Sequence, residues 1–157
     1  MDAKFINPFL EATKSCIEMM AMTPVSAGTP AIKQGTKTWG VVTGVIGMAG
    51  DDINGNLVLS FDSPAILAIV ERMLGESFEE VNDEIVDAVG ELTNMICAGA
   101  KKSLGEEGFQ IEMALPMVIK GQDIEMTQLT NAPVISIPFE TDEGKFVVEA
   151  SLKSKNN

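Results

Sequence analysis

The stretch from Trp39 to Phe61 constrains the fold more than any other part of the sequence. Two runs of β-branched and apolar residues, at 39–48 and 56–61, are separated by the turn-rich segment G-D-D-I-N-G-N. Asn-Gly strongly favours the positive φ angles of a tight hairpin turn. The sequence therefore predicts a β-hairpin with Asn54 and Gly55 at its turn.

A helix is predicted ahead of this hairpin. Asn7 followed by Pro8 is typical of a helix start, because asparagine caps free backbone N–H groups and proline fits the first helical position. We expect that helix over residues 7–22. Residues 23–35 are rich in Pro, Gly, Ser and Thr, which predicts an irregular connection with one short edge strand.

Two more helices are predicted after the hairpin. Ser63 and Pro64 are expected to cap and begin the first of them, and Gly75 to end it in the left-handed conformation that glycine adopts easily. The second is longer and is predicted over residues 83–104, with Asn82 as its N-cap.

The C-terminal third of the chain is predicted to be β structure. We expect one strand over residues 109–118, followed by a polar excursion to residue 131. A second hairpin is predicted from 133–139 and 145–152 around the turn T-D-E-G. The last residues, 153–157, are predicted to form a disordered tail.

The order of these elements indicates two similar halves, each with a helix that leads into β structure. A chain of 157 residues has room for one domain with a substantial core. We therefore predict a single domain over residues 1–157, of the α/β class and the α+β type. Its two pseudo-repeated halves share a mainly antiparallel sheet, and its helices lie on one face.

Charge and residue content exclude several classes of function. Lys plus Arg total 11 against 23 Asp plus Glu, for a formal net charge of −12. Such a surface repels phosphate backbones and anionic lipids, so we expect no nucleic-acid partner and no membrane partner. The chain has no histidine, which excludes Ser-His-Asp and Cys-His catalysis and most zinc sites. We expect no metal ion and no cofactor of its own.

The two cysteines point to a reducing compartment. Cys16 and Cys97 each lie in an apolar helical pattern, which predicts buried thiols. Neither is followed six residues later by the arginine that a cysteine phosphatase needs. No run approaches 18 uninterrupted apolar residues, so no membrane span is predicted. We expect a cytoplasmic protein.

The third predicted helix carries the candidate chemistry. At about 100° per residue, its core-facing arc holds the apolar residues Ile85, Val89, Leu92, Ile96 and Gly99. The opposite arc holds Asp87, Glu91, Asn94, Ala98 and Lys101. Glu91 and Asn94 therefore stand side by side in solvent, at i and i+3. Such a pair is by itself also typical of an ordinary solvated helix face, and a second E-x-x-N, at 79–82, is explained by helix capping.

The surroundings of this pair resemble a known family. The segment D-A-V-G-E-L-T-N-M-I-C-A-G-A, preceded by W-G-V-V-T-G-V-I-G-M-A-G, N-L-V-L-S-F and I-V-E-R-M-L-G-E, is similar to the CheC and CheX chemotaxis phosphatases, over residues 31–152. In that family E-x-x-N marks the active helix, usually with an acidic or serine residue four positions earlier, where Asp87 stands here. The resemblance implies a CheC-like fold, Glu91 and Asn94 as catalytic residues, and Asp87, Glu91 and Ala98 as partner-binding residues.

The resemblance also implies one site per chain. Aligning the two halves by their helices pairs E-A-T-K at 11–14 with E-L-T-N at 91–94, so Lys14 stands where the carboxamide belongs. A single E-x-x-N site is typical of CheX-like rather than CheC-like members. CheX-like proteins are dimers, so we expect a homodimer, with an exposed sheet edge as the place where strands pair.

The implied function is hydrolysis of the aspartyl phosphate on a phosphorylated CheY-like response regulator. The regulator supplies Mg²⁺ and a lysine in its own site, so the reaction needs chiefly a water placed in line with the leaving group. Asn94 is suited to hold that water, and Glu91 to dock on the regulator's lysine. Two alternatives stay open: a non-catalytic adaptor that binds phosphorylated receivers or chemotaxis and flagellar-switch proteins, and a purely structural subunit.

Overall fold

The computed structural model describes residues 3–127 and 132–155. Within these residues, helices and strands follow the predicted alternation along the chain. The helices are α1 (Ala3–Ala21), α2 (Ser63–Leu74) and α3 (Asp83–Glu106). The strands are β1 (Ser26–Ala27), β2 (Ala31–Ile32), β3 (Val42–Gly50), β4 (Ile53–Phe61), β5 (Ile111–Met113), β6 (Met117–Lys120), β7 (Ile135–Glu140) and β8 (Lys145–Ser154).

The strands form one antiparallel sheet in the order β1-β7-β8-β4-β3-β5. Two long hairpins, β3–β4 and β7–β8, meet at the centre, where β4 pairs with β8. The short strands of each half extend the hairpin of the other half, since β1 and β2 pair with β7 while β5 and β6 pair with β3. The predicted fold class is confirmed, and this exchange of edges joins the two halves.

The helices pack on one face of the sheet, as predicted. Alternate strand residues face them and belong to the same buried cluster as the helices, including Val42, Ile46, Leu57, Leu59, Ile137, Val148 and Ala150. Three phenylalanines on neighbouring strands stack in this layer. The ring centroid of Phe146 lies 5.0 Å from those of both Phe61 and Phe139. This stack unites both hairpins beneath the helices.

Part of the other face is covered by two crossing segments, residues 33–38 and 124–127. The N–H of Thr38 donates to the carbonyl of Ile124 at 2.9 Å, and the N–H of Met126 donates to the carbonyl of Thr36 at 2.9 Å. These contacts link parts of the chain nearly 90 residues apart, so no local sequence pattern predicted them.

The turn of the first hairpin differs from the prediction. The β3–β4 ladder continues to the pair Ala49–Asn54, so residues 51–52 make the turn and Asn54 and Gly55 lie within β4. Gly55 is absent from the described residues with positive φ. A Cβ atom at Gly55 would collide with the backbone oxygen of Ser151 on β8. Glycine is thus required here for the close approach of the next strand, not for a turn.

The first helix begins earlier than predicted. Asn7 and Pro8 lie inside α1 rather than at its start, although proline removes one helical N–H donor. Phe5, one turn before Pro8, packs edge-on against Phe109 with ring centroids 5.1 Å apart. This packing holds the extra turn of helix against the rest of the molecule.

The cap of α2 is Asp62, so the predicted cap, Ser63, was wrong by one residue. Asp62 Oδ1 accepts the N–H of Ala65 at 2.9 Å, and Oδ2 accepts the N–H of Lys145 at 2.9 Å. Asp62 thus bonds to the helix and to the second hairpin together. The predicted end of α2 is confirmed, because Gly75 adopts the left-handed conformation with φ 73°.

Helix α3 begins as predicted and runs two residues further. Asn82 Oδ1 accepts the N–H of Ile85 at 3.0 Å, which confirms Asn82 as the N-cap. The strand predicted over 109–118 was wrong: residues 114–116 interrupt it, β5 begins at Ile111, and β6 continues to Lys120. Pro116 lacks the N–H that a continuous ladder would use.

The second hairpin is confirmed, and its turn closes through the N–H of Thr141, which donates to the carbonyl of Gly144 at 2.8 Å. The predicted disordered tail was wrong for Lys153 and Ser154, which continue β8 against β4. Residues 156–157 lie outside the described residues, as do residues 128–131 of the predicted polar excursion.

Candidate functional site

Two small residues determine how helix α3 is seated. A Cβ atom at Gly44 of β3 would collide with the side chain of Thr93, whose hydroxyl donates to the carbonyl of Val89 at 2.7 Å. A Cβ atom at Gly99 would lie 3.1 Å from Cβ of Ala12 on α1. α3 therefore lies close against β3 and α1, and this contact turns its opposite side outward.

The predicted rotation of α3 is confirmed. The residues expected in the core are fully buried at Ile85, Val89, Leu92 and Ile96, and Gly99 is half-buried. The residues expected in solvent are exposed at Asp87, Glu91, Asn94 and Ala98, and Lys101 is half-exposed. The 3.6-residue period of the sequence thus predicted the outward face of this helix correctly.

Three of the four predicted site residues line one open groove of about 790 Å³. Asp87, Glu91 and Asn94 line it from α3, as do the half-buried Val86, Gly90 and Met95. Ala98, the fourth predicted residue, lies one turn beyond Asn94 on the same helix face but outside the residues that line the groove. The structure therefore brings the acids and the carboxamide together and places Ala98 beside them.

Sequence reasoning missed the second wall of the groove. That wall consists of Leu115, Pro116 and Val118, at and after the break between β5 and β6. A continuous strand over 109–118 has no break between β5 and β6, so the prediction gave no reason to expect a groove wall there. Pro116 was the available signal, because proline inside an apolar run argues against an unbroken strand.

The polar groups of the groove are two carboxylates and one carboxamide. Burial raises the pKa of Cys97, on the inner side of α3, to about 11, although the charge of Lys101 opposes the rise. Its thiol is therefore protonated at neutral pH and is not a nucleophile. The groove can bind a water molecule or a cation but holds no activated nucleophile among its lining residues.

Residues 3–127 and 132–155 offer neither a ready-made metal site nor a membrane-spanning helix. No cluster of three or more His, Cys, Asp or Glu side chains there is arranged to hold a metal ion. None of the helices in the same residues combines the length and apolar character that crossing a membrane requires.

The first half repeats the seating of the site helix without its carboxamide. The hydroxyl of Thr13 donates to the carbonyl of Phe9 at 2.7 Å, as that of Thr93 does to Val89. Both threonines are fully buried. Glu11 is exposed like Glu91, while Lys14 occupies the position that corresponds to Asn94 and is half-buried.

Known proteins match this chain both in sequence and in fold. The sequence profile of the family described as Chemotaxis phosphatase CheX matches residues 42–140. The CheY-P phosphatase CheX of Thermotoga maritima is 25% identical over 156 residues, which cover 98% of this chain and 99% of that protein. The crystal structure of the chemotaxis protein CheX from Vibrio vulnificus is 35% identical with a TM-score of 0.89, over 95% of this chain and 99% of that one.

A more distant structure shares the fold. The CheX-CheY-BeF3-Mg²⁺ complex from Borrelia burgdorferi is 22% identical with a TM-score of 0.80, over 95% of this chain and 97% of that one. The profile match includes the whole of α3 and the second wall of the groove. From these matches, this chain belongs to the CheX family of chemotaxis phosphatases.

Proposed function

We propose that this protein hydrolyses the aspartyl phosphate of a CheY-like response regulator. The observation that carries the proposal is the exposed pair Glu91 and Asn94, side by side on α3 in an open groove. The names of two relatives support the substrate, since one is a CheY-P phosphatase and another was solved in complex with CheY. Because the groove lining offers no activated nucleophile, the reaction is direct attack by water.

Asn94 positions that water in this mechanism. Its side-chain oxygen accepts a hydrogen bond from the water, and its amide group donates to an oxygen of the phosphoryl group. Holding the two reactants in line removes most of the orientational cost of the reaction. A carboxamide needs no change of protonation for this task.

Glu91 and Asp87 bind the regulator. Glu91 accepts a charge-assisted hydrogen bond from the regulator's active-site lysine and so sets α3 over the phosphoryl group. Asp87, one helical turn earlier, adds a second contact, and Ala98 offers a flat surface on the far side of Asn94. Mg²⁺ is held in the regulator's own site, where it stabilises charge on the phosphoryl oxygens.

We also propose that the protein is a cytoplasmic homodimer. The outer strands of the sheet, β1 and β2 at one edge and β5 and β6 at the other, offer places where strands of two chains pair. The free thiols of Cys16 and Cys97 support a reducing compartment.

The test is the decay of a phosphorylated CheY-like receiver with Mg²⁺ and catalytic amounts of the protein. We expect accelerated decay, which falls about a hundredfold in Asn94→Ala because the water is no longer oriented. Binding to the receiver is expected to persist. Gln110→Ala, which removes an exposed carboxamide outside the groove, is the matched control and is expected to keep full activity.

Three results would contradict this proposal. An Asn94→Ala variant as fast as the unmodified protein removes Asn94 from the mechanism. If the unmodified protein binds phosphorylated receivers but leaves their decay unchanged, the protein is an adaptor. If a Glu91→Ala, Asn94→Ala double variant keeps both receiver binding and signalling, the protein is a structural subunit.

A further inference from the structure

The apolar wall of the groove contains the most exposed large hydrophobic side chain in the described residues. Leu115 is 90% exposed. It stands opposite Glu91 and Asn94 in the same groove, with Pro116 and Val118 beside it. Exposed apolar groups that are grouped next to a polar site commonly mark a surface for a protein partner.

The exposure of Leu115 is built into the sheet. On one side of it, the N–H of Ala114 donates to the carbonyl of Gly47 at 3.0 Å, and β5 pairs with β3. On the other side, Met117 pairs with Val45 as β6 begins. Pro116 restricts the backbone between these anchors. The loop is therefore tied to β3 at both ends, which keeps Leu115 on the outside.

The charges of the groove explain why an apolar wall is needed. Asp87 and Glu91 are exposed on the helix wall, and the whole chain carries −12. A receiver's phosphoryl group is also anionic, so the two surfaces repel each other except where a cation lies between them. Apolar contact is unaffected by this repulsion and can supply the affinity that the charges oppose.

We propose that Leu115 is a docking residue for the phosphorylated receiver, packing against apolar surface beside its acyl phosphate. The inference rests on the proposed function and deepens it, because it assigns affinity to the β5–β6 corner and catalysis to α3. The occupant is the receiver rather than a second copy of this chain, since the apolar wall is continuous with the groove that holds Glu91 and Asn94.

Binding tests the inference without relying on turnover. The protein is titrated into a receiver loaded with beryllium fluoride and Mg²⁺, a stable mimic of the phosphorylated form. Leu115→Ser is expected to raise Kd about tenfold, as the loss of a buried leucine contact would. Met117→Ser is the matched control: it is 58% exposed and two residues away, but pairs with Val45 on the other face of the sheet. Its Kd is expected to stay within about twofold.

Kinetics separates this inference from the proposed function. Leu115→Ser is expected to raise KM about tenfold and leave kcat within about twofold, whereas Asn94→Ala lowers kcat. Equal Kd values for Leu115→Ser, Met117→Ser and the unmodified protein overturn the docking role and leave the phosphatase standing. A Leu115-dependent Kd without accelerated decay overturns the phosphatase and keeps the docking surface. No binding by the unmodified protein overturns both.

Discussion

At the scale of single residues, Glu149 is the most unusual acid in the described part of the chain. It lies on β8 in the middle of the sheet and is 4% exposed. Lys33, from a segment that crosses the sheet, places Nζ 3.0 Å from Oε1 of Glu149. Burial raises the pKa of Glu149, although the hydrogen bond and charge of Lys33 oppose the rise. The loss of hydration therefore destabilises the charged carboxylate by more than the lysine stabilises it.

This raised pKa predicts a pH dependence of stability. The folded protein binds a proton at Glu149 at higher pH than the unfolded chain does, so the contribution of Glu149 to the free energy of unfolding falls as pH rises through its folded pKa. We expect the free energy of unfolding of the unmodified protein, relative to that of Glu149→Gln, to rise on acidification from neutral pH toward the ordinary glutamate pKa. Urea unfolding at a series of pH values measures it.

The control for that series is Glu140→Gln, whose carboxylate is exposed beside Lys145. It shows how much of the measured change comes from removing one negative charge at an exposed site of the same sheet. If the free energy of unfolding of the unmodified protein relative to Glu149→Gln instead falls on acidification, the attraction of Lys33 outweighs desolvation.

At the scale of elements, the start of α2 depends on one side chain that serves two of them. Asp62→Ala removes the acceptor for Ala65 N–H and for Lys145 N–H, so we expect it to lower the free energy of unfolding by about 2 kcal/mol. Ser63→Ala is expected to change it by less than about 0.5 kcal/mol. Urea unfolding of the two variants measures both changes. A larger loss of stability in Ser63→Ala than in Asp62→Ala would show that Ser63, the residue predicted from the sequence, is the cap.

The seating of α3 on β3 depends on Gly44. Gly44→Ala forces a methyl group against the Thr93 side chain, and we expect it to cost about 1–3 kcal/mol of stability and to displace the site helix. Gly47→Ala, three residues along the same strand, is the control, because its nearest neighbour would lie 3.9 Å from the new Cβ.

Thermal unfolding and the receiver-decay assay together test this seating. Phosphatase activity is expected to fall in Gly44→Ala and to persist in Gly47→Ala. Adding Thr93→Ala to Gly44→Ala is expected to recover part of the stability, because it removes the hydroxyl that the methyl group meets. Equal behaviour of the two glycine variants would show that α3 tolerates a shift on the sheet.

At the scale of the whole molecule, the two halves hold each other through exchanged edge strands. Each pair of short strands lies at an outer edge of the sheet, which leaves two edges for assembly. We expect sedimentation at micromolar concentration to give the mass of two chains. A mass of one chain would contradict the homodimer. The short length of the edge strands would then be what keeps a monomer from pairing with other chains.

The fold and the site differ in how far local pattern could predict them. The inward and outward faces of α3 follow from a repeat of apolar residues every 3.6 positions, and both hairpins follow from β-rich runs around turn residues. The resemblance that led to Glu91 and Asn94 depended on the same stretch of sequence. Each of these signals lies within a short span of chain, so it can be recognised without knowing which distant segments pack against it.

The predictions that were wrong concerned residues whose roles depend on contacts with distant parts of the chain. Gly55 is needed by the approach of β8, about a hundred residues later, and Asp62 is chosen as the cap because Lys145 also bonds to it. The wall around Leu115 exists because β5 and β6 pair separately with β3. The sequence alone thus determined which residues face outward on α3 and that no histidine is available for catalysis. Only the tertiary structure decided what stands across from Asn94, because strand pairing between distant segments shapes the groove.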